Sequence, residues 1–307
     1  MAADPGITDG GVPFRAAKPI RRAPGMDMTY TTTNTAITDA EFEQIRTLVY
    51  QRFGINLTEQ KRALVVGRLQ KLLRDEGFAS FQVYYDHVVR DTTGDAIDKL
   101  VNRISTNYTY FYRESAHFDY FVQQGLPSIV SRLKRENSRD LRIWSAGCSS
   151  GEEPYMLAML LMEYLGNEYG MWNGGILATD ISDRVLSIAR QGEYLHEQVE
   201  RMPPQLFHKY FVKQPNGCWG VNDRLRKEVT FRRFNLMNQQ FPFKKPFQVI
   251  FCRNVMIYFD KETRDGLIRR FYDFLEPGGY LFIGHSETIG RQQTLFRYIQ
   301  PAAYQRI

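Results

Sequence analysis

The feature that most constrains the fold of this chain is the stretch LRIWSAGCSSGEEPY at residues 141–155. It starts as a short apolar strand over residues 141–144, continues as a loop of small residues and restarts as a helix. Pro154 lies near the first helical position, where its missing N–H group costs nothing. Gly147 and Gly151 carry no Cβ atom, so the loop backbone can approach a ligand closely. Strand, glycine loop and helix in this order predict the opening βα unit of a nucleotide-binding α/β domain.

The residues around this loop indicate the charge of its ligand. Glu152 and Glu153 follow the loop at once, and they would repel a pyrophosphate at the helix N-terminus. They suit a cationic ligand with amine and hydroxyl donors, such as S-adenosylmethionine. Asp180 ends the predicted second strand, residues 174–180, where ribose hydroxyls would need an acceptor. From these residues alone, an ordinary glycine turn with capping acids remains the alternative.

Composition bounds the class of protein. The chain has 307 residues, of which 43% are hydrophobic, enough for two globular domains. It has no apolar run long enough to span a membrane and no N-terminal apolar segment, so we expect a cytoplasmic protein without membrane insertion. Its three cysteines are scattered, and none of its five histidines pairs with a cysteine at metal-ligand spacing, so we expect no disulfide framework and no metal. The net charge of +6 mildly favours an acidic partner.

The N-terminal third is predicted to be a tail followed by a small helical domain. Residues 1–36 are rich in proline and glycine and are expected to be disordered. Residues 37–104 show helical periodicity, beginning with a capping box at Thr38 and Glu41. A helix over residues 58–75 has its apolar stripe on one face, and Arg68, Lys71 and Arg74 on the opposite face. That basic face is either an ordinary solvated surface or a docking surface for an acidic protein.

Residues 105–127 form a linker that is unusually rich in aromatic, amide and hydroxyl groups for a plain connector. One interpretation is a packing segment between domains, in which tyrosine and phenylalanine bury area. The other is that an extended stretch turning into a helix directs Asn107, Thr109 and Arg113 into one pocket.

Residues 128–307 are predicted to form a doubly wound, mostly parallel α/β sheet, because strands alternate with helices. Residues 193–227 interrupt the alternation with a small β-rich insertion that contains a hairpin. Asp180, Asn235–Leu236 and Arg253–Asn254 all end or follow predicted strands. Since ligands bind at the carboxyl ends of such strands, these residues and the glycine loop are expected to converge on one site.

Five motifs resemble those of the chemotaxis receptor methyltransferases, the CheR family. They are STNYTYFYRE, WSAGCSSGEEPY, ATDIS, FNLMN and FCRNVMIYFD, and the resemblance extends over residues 37–305. It implies a Rossmann-like methyltransferase domain with a β-insertion, preceded by a helical domain that docks on receptors. It further implies methyl esterification of glutamate side chains in the cytoplasmic methylation region of chemoreceptors, with S-adenosylhomocysteine as the product. We expect a monomer.

The resemblance also implies roles for individual residues. Arg113 and Tyr258 match the positions associated with catalysis. Without the resemblance, Tyr258 would be read as a core aromatic, because Ile257 and Phe259 flank it. The implied cofactor contacts are Asn107, Thr109, Arg113, Glu153, Asp180, Asn235, Leu236, Arg253 and Asn254.

Two other functions were weighed against this interpretation. A methyltransferase acting on the amino groups of DNA would carry a D/N-P-P-Y/F loop after the fourth strand, where this chain has Arg253-Asn254-Val255-Met256, so no nucleic-acid partner is expected. A non-catalytic S-adenosylmethionine-binding signalling module is the remaining alternative. The full set of site residues argues against it.

Overall fold

A computed structural model describes residues 36–290 and 295–307. The predicted disordered tail, apart from its last residue, lies outside these ranges. Within the described ranges, no helix is both long and apolar enough to cross a membrane.

The first part of the described chain is a four-helix unit. It contains α1 (Asp39–Phe53), α2 (Arg62–Glu76), α3 (Phe81–Arg90) and α4 (Asp95–Ile104). Thr38 caps α1 as predicted: its hydroxyl accepts from the Glu41 amide, and the Glu41 carboxylate accepts from the Thr38 amide at 2.8 Å. The apolar stripes of the helices face one another around Phe42, Leu69 and Phe81. α2 begins later than the predicted residue 58, because Glu59–Lys61 form a 3₁₀ turn first.

The predicted linker belongs to the core of the following α/β part. Its helical segments are α5 (Ala116–Tyr120), a π-helical turn at Phe121–Gly125, and α6 (Leu126–Arg135), which spans the predicted boundary at residues 127–128. Phe111, Phe118 and Phe121 are fully buried in the same cluster as residues of the central sheet. The packing interpretation of the aromatic residues is therefore correct for these three side chains.

The α/β part consists of strands and helices that alternate around a central sheet. In chain order they are β1 (Asp140–Ala146), α7 (Glu152–Leu165), β2 (Asn173–Asp180), α8 (Asp183–Gln191), β3 (Glu193–Tyr194), α9 (His196–Val199), α10 (Pro204–Tyr210), β4 (Phe211–Lys213), β5 (Trp219–Val221), α11 (Asp223–Arg226), β6 (Val229–Arg233), β7 (Phe247–Cys252), α12 (Lys261–Phe274), β8 (Leu275–Ile283), β9 (Phe296–Gln300) and β10 (Ala303–Arg306).

The central sheet has seven strands in the order β6-β2-β1-β7-β8-β10-β9. The first five are parallel, and β10 is antiparallel to both of its neighbours, β8 and β9, so β9 runs in the same direction as the first five. Successive side chains of β1 point to opposite faces, so Ile143 and Trp144 lie in separate buried clusters on the two faces of the sheet. The predicted doubly wound, mostly parallel architecture is confirmed.

A second, three-stranded antiparallel sheet, in the order β3-β5-β4, lies between α8 and β6 in the sequence. The predicted hairpin within residues 193–227 is present as β4 and β5, paired from Phe211 with Val221 to Lys213 with Trp219.

The structure differs from the prediction near the C-terminus. β8 begins at Leu275 and runs through the Pro277-Gly278-Gly279 sequence, although proline and glycine commonly interrupt strands. A Cβ atom on Gly279 would lie 2.9 Å from the carbonyl oxygens of Gln248 and Glu276. The glycine therefore allows the strand to continue through an irregularity in its pairing with β7. The strands β9 and β10 were not predicted.

Candidate functional site

The predicted site residues converge on one pocket at the carboxyl ends of the parallel strands. Phe53, Ile55 and Val101 of the helical unit also line it. The predicted residues among its lining are Asn107, Thr109, Arg113, Glu153, Asp180, Asn235, Leu236, Arg253, Asn254 and Tyr258. The sequence therefore identified a spatial cluster from positions that are up to 151 residues apart in the chain, between Asn107 and Tyr258.

Asp180 ends β2 and presents a carboxylate to the pocket. Its Oδ2 accepts a hydrogen bond from the Ser149 amide at 2.8 Å, and its Oδ1 accepts one from the Ser182 amide at 3.0 Å. Burial raises the pKa of this carboxyl group, and the backbone amides oppose the shift. Each carboxylate oxygen has a second lone pair, so the group can still accept from a ligand hydroxyl.

The two glycines of the loop are required by contacts within the protein itself. Gly147 and Gly151 have φ angles of +82° and +96°, which favour glycine. A Cβ atom on Gly147 would lie 2.4 Å from Val255 Cγ2, and one on Gly151 would lie 2.9 Å from Ala189 Cβ. Gly147 also lines the pocket, so close packing and access to a ligand both depend on it.

The two glutamates after the loop have different environments. Glu152 is fully buried and accepts from Ser150 Oγ at 2.7 Å and Gln198 Nε2 at 2.8 Å. Burial raises the pKa of Glu152 to about 7. Glu153 lines the pocket, where it accepts from Ser145 Oγ at 2.7 Å and pairs with Arg253 Nη1 at 3.2 Å. Of the two, Glu153 alone presents its side chain to a ligand.

Arg253 connects the groups on either side of the pocket. Its buried guanidinium pairs with Glu153 and, through Nη2 at 3.2 Å, with Glu114. It also donates to the Arg113 carbonyl oxygen and lies 5.1 Å from the ring centroid of Phe118. The charge of Arg253 is thus matched by two carboxylates of the protein, which fixes the guanidinium as part of the pocket wall.

Glu114 belongs to this arrangement but was missed by the sequence analysis. Its Oε1 accepts from Asn254 Nδ2 at 3.1 Å, and its Oε2 accepts from the His285 amide at 3.3 Å. Burial alone would raise the pKa of Glu114, but the Arg253 charge and the Asn254 hydrogen bond together lower it below its ordinary value. A charged residue in a loop has no periodic signal, so only its place beside the predicted Arg113 could have identified it.

Glu114, His117 and His285 form a compact cluster, with potential ligand atoms within 4.8 Å of one another. The Nδ1 atom of His117 lies 3.5 Å from Glu114 Oε2. Burial, with a further contribution from Arg253, lowers the pKa of His117 to about 3. Arg253 contacts the same carboxylate oxygen, so a divalent cation there would lie close to a buried positive charge, and the repulsion disfavours it.

The two predicted catalytic residues lie at the same end of the pocket. Arg113 donates from Nη1 to the Tyr108 carbonyl oxygen at 2.9 Å, and the residues on either side of it have positive φ angles. The Tyr258 hydroxyl donates to the Thr106 carbonyl oxygen at 3.2 Å and accepts from the Thr106 amide at 3.1 Å. Tyr258 thus packs its ring against the apolar cluster of the helical unit, while its hydroxyl is held by the Thr106 backbone at the pocket wall.

A second groove lies next to the pocket and shares six lining residues with it, which are Ile55, Thr106, Tyr108, Arg113, Asn254 and Tyr258. Its other residues come mostly from the helical unit; they are Leu57, Lys61, Leu64, Val65, Arg68, Ile104 and Ile257. Arg113 and Tyr258 are thus among the residues that stand where the pocket and the groove meet.

The predicted docking residues of α2 separate into two kinds. Arg68 is partly buried and donates to the Ile104 carbonyl oxygen at 2.6 Å and to Thr106 Oγ1 at 2.9 Å. It therefore supports the linker and does not extend freely from the helix as expected. Lys71 and Arg74 are exposed, so they remain candidates for docking.

Comparison with known proteins gives a consistent family assignment. A family model described as "CheR methyltransferase, SAM binding domain" matches residues 107–304, and one described as "CheR methyltransferase, all-alpha domain" matches residues 40–105. The chain is 44% identical to a chemotaxis protein methyltransferase of Borreliella burgdorferi, over 89% of this chain and 96% of the relative. It is 38% identical to the protein of that name from Escherichia coli, over 85% of this chain and 88% of the relative. It is also 38% identical to the one from Salmonella typhimurium, over 82% of this chain and 85% of the relative.

Proposed function

The chain belongs to the CheR family of S-adenosylmethionine-dependent chemotaxis methyltransferases, and from this premise we propose that it methyl-esterifies glutamate side chains of chemoreceptors. The observation that carries the proposal is the position of Arg113 and Tyr258 at the junction of the pocket and the adjacent groove. A methyl donor in the pocket and an acceptor carboxylate in the groove would meet beside these two side chains.

The donor set of the pocket fits S-adenosylmethionine. Asp180 would accept hydrogen bonds from ribose hydroxyls, and Ile181, Phe234 and Leu236 supply apolar surface in the same pocket. Glu153 supplies negative charge that suits the cationic end of the molecule. When bound, S-adenosylmethionine supplies a methyl group that is activated by its attachment to a sulfonium. We propose that Asn107, Thr109, Arg113, Asn235, Arg253 and Asn254 complete the binding site.

The acceptor needs little chemical activation from the protein. A glutamate carboxylate has an ordinary pKa near 4.3 and is already ionised at neutral pH, so no strong general base is required. We assign to Arg113 the role of holding the incoming carboxylate. We assign to the Tyr258 hydroxyl that of orienting it, for which its one proton would turn from the Thr106 carbonyl oxygen to the carboxylate. Exposed apolar groups at Leu64, Tyr108 and Ile257 would exclude water when a receptor covers the groove. Alignment and exclusion of water then contribute most of the catalysis.

The proposal is tested by incubating the protein with labelled S-adenosylmethionine and the cytoplasmic methylation region of candidate chemoreceptors. We expect methyl label on the receptor that is released by base, as an ester is, and no label on receptor variants whose acceptor glutamates are replaced by alanine. Base-stable label would contradict esterification. Tight binding of S-adenosylmethionine without transfer to any receptor would instead favour the non-catalytic signalling module.

A further inference from the structure

The segment that carries Asn254 and Tyr258 has little structure of its own. After β7 it leaves the sheet, and Asn254 adopts a φ of +59°, a left-handed conformation that asparagine adopts more readily than most residues with a side chain and that ends the strand. A single 3₁₀ turn, Met256–Tyr258, follows. Since one such turn contributes few hydrogen bonds within the segment, contacts from elsewhere have to fix its position.

Glu287, in the loop after β8, provides such contacts. Its side chain is buried, and no salt bridge to it occurs within residues 36–290 and 295–307. Its Oε2 accepts from the Asn254 amide at 3.0 Å and from the Gly284 amide at 2.5 Å, and its Oε1 accepts from the Ile257 amide at 3.1 Å. One carboxylate therefore joins the end of β8 to both ends of the segment.

The chemistry of this arrangement requires a carboxylate. All three partners are backbone N–H donors, and both oxygens of Glu287 are used as acceptors. A glutamine would direct its NH₂ group at an N–H donor on one side or the other, which leaves a buried donor without an acceptor. Glycine at 284 is needed as well, because a Cβ atom there would lie 2.8 Å from the Asn254 nitrogen.

The helical unit holds the same segment from the opposite side. The Asn56 amide donates to the Tyr258 carbonyl oxygen at 2.8 Å, and the Tyr258 hydroxyl bonds to the Thr106 backbone. These contacts fix the segment to the helical unit and the linker. On the side of the sheet, Glu287 bonds to two backbone amides of the segment, and Val255 packs against Gly147.

We infer that Glu287 is a positioning residue for methyl transfer, which sets the place of Tyr258 relative to the cofactor pocket. This inference rests on the proposed function. Without the Glu287 carboxylate, Tyr258 would move with the helical unit. Its hydroxyl would then lose its fixed position relative to the methyl donor in the pocket. The Asn254 side chain keeps its separate hydrogen bond to Glu114, so cofactor binding depends less on Glu287 than alignment does.

The first test measures turnover and cofactor affinity in Glu287→Gln. We expect kcat to fall by about 10- to 100-fold, as for a small misplacement of a reacting group, while the Kd for S-adenosylhomocysteine changes by less than about threefold. Glu276→Gln is the matched control, because Glu276 lies near the start of β8, the strand that precedes Glu287, and pairs with Arg132, and neither residue lines the pocket. A Kd that rises as much as kcat falls would overturn the inference.

The second test is a double-mutant cycle with Tyr258→Phe. If Glu287 acts through the Tyr258 hydroxyl, Glu287→Gln lowers kcat much less in the Tyr258→Phe background than in the wild type. If the two substitutions instead lower kcat by independent factors that multiply in the double variant, Glu287 is merely structural and the inference is overturned. A wild-type protein that transfers no methyl group to any receptor would refute the proposed function, whereas normal turnover in Glu287→Gln refutes only the positioning role.

Hydrogen exchange provides a readout that does not depend on activity. In Glu287→Gln, and in Glu287→Asp if the glutamine variant does not fold, we expect faster exchange confined to the amides of residues 254–258 and 284. Unchanged exchange in these amides, or an equal increase across the whole sheet, would contradict the inference.

Discussion

Asp180 supports the local fold, and we propose that it also binds the ligand. Its oxygens accept from the Ser149 and Ser182 amides, which fixes the glycine loop and the start of α8. Replacement by alanine would remove these bonds together with any bond to a ligand. Asparagine keeps the shape of the side chain and one acceptor oxygen, and is therefore the better test of ligand binding.

We predict that Asp180→Asn weakens binding of S-adenosylhomocysteine by about 1.5–3 kcal/mol, the range for a hydrogen bond to a charged group. Isothermal titration calorimetry measures the change, and a thermal melt of the same sample reports on folding. Asp183→Asn is the control, since Asp183 is an exposed neighbour that pairs with Arg233. Unchanged affinity in a folded Asp180→Asn protein would contradict the assignment.

Glu114 gives a prediction for stability as a function of pH. The Arg253 charge lowers the pKa of Glu114 below its ordinary 4.5, against the effect of burial. A carboxyl group whose pKa is lower in the folded state stabilises the fold above its unfolded pKa, and this contribution is lost as the pH falls through the folded value. The contribution is therefore complete near pH 7, begins to fall near the ordinary pKa of 4.5 and is lost as the pH drops further through the lower folded pKa.

We predict that Glu114→Gln is less stable than the wild type at pH 7 by about 1–3 kcal/mol, and that the difference shrinks as the pH is lowered from 5 towards 3. Urea unfolding at several pH values measures it. Glu43→Gln removes an exposed partner of Arg46 and should have little effect at any pH. A Glu114→Gln deficit that grows at acid pH would refute the proposed ion-pair origin.

At the scale of secondary structure elements, the loop between β1 and α7 brings two distant segments together. The missing Cβ of Gly147 leaves room for Val255, which belongs to the segment between Asn254 and Tyr258. The glycine loop thus sets the position of that segment through direct packing, in addition to forming a wall of the pocket.

We predict that Gly147→Ala lowers turnover by at least about tenfold, because the new methyl group displaces Val255 and the residues beside it. Gly217→Ala is the matched control. Its φ of +85° is similar to the +82° of Gly147, but no atom lies within 4 Å of the new Cβ. Both variants carry about 1–2 kcal/mol of backbone strain, so equal activity in the two would show that the contact with Val255 has no role.

Sequence periodicity and capping predicted most of the helices and strands because these signals are local. Thr38 caps α1 as expected. The convergence of the pocket residues could be predicted because parallel strands end at one edge of a sheet. The role of Glu287 could not be predicted from the sequence. Two of its partners are backbone amides 30 and 33 residues away, and no pattern of side chains in the sequence indicates such a bond. The same holds for Arg68, whose acceptors lie in the linker.

At the scale of the whole molecule, contacts between the helical unit and the sheet surround the pocket. Tyr50 donates to Asp260 at 2.7 Å, Arg233 pairs with Asp98, and Asn235 donates to the Arg52 carbonyl oxygen at 2.8 Å. The exposed residues of α2 are then presented on the same side as the groove that Lys61 and Leu64 line.

We predict that the double reversal Lys71→Glu and Arg74→Glu raises the KM for receptor several-fold without changing cofactor affinity. Each exposed charge contributes under about 1 kcal/mol, so the effect is cumulative and acts mainly on association. It should weaken as salt rises, because exposed charges are screened over about 8 Å at 0.15 M. Normal receptor kinetics at low salt would show that this face is an ordinary solvated surface.

The control for this prediction is the double reversal Lys261→Glu and Arg269→Glu on α12. Both side chains are exposed, and the change in net charge is the same. A KM that rises equally in both proteins would assign the effect to overall charge and would contradict a specific docking face. Arg68 is best tested separately, because its reversal would also disturb the linker.

The lining of the pocket by Phe53, Ile55 and Val101 has a consequence for the stability of the whole molecule. These side chains come from the helical unit, so a cofactor bound in the pocket would contact both parts of the chain that form it. A ligand that binds only the folded form stabilises that form. We therefore expect saturating S-adenosylhomocysteine to raise the melting temperature of the helical unit and the sheet together, as a single transition.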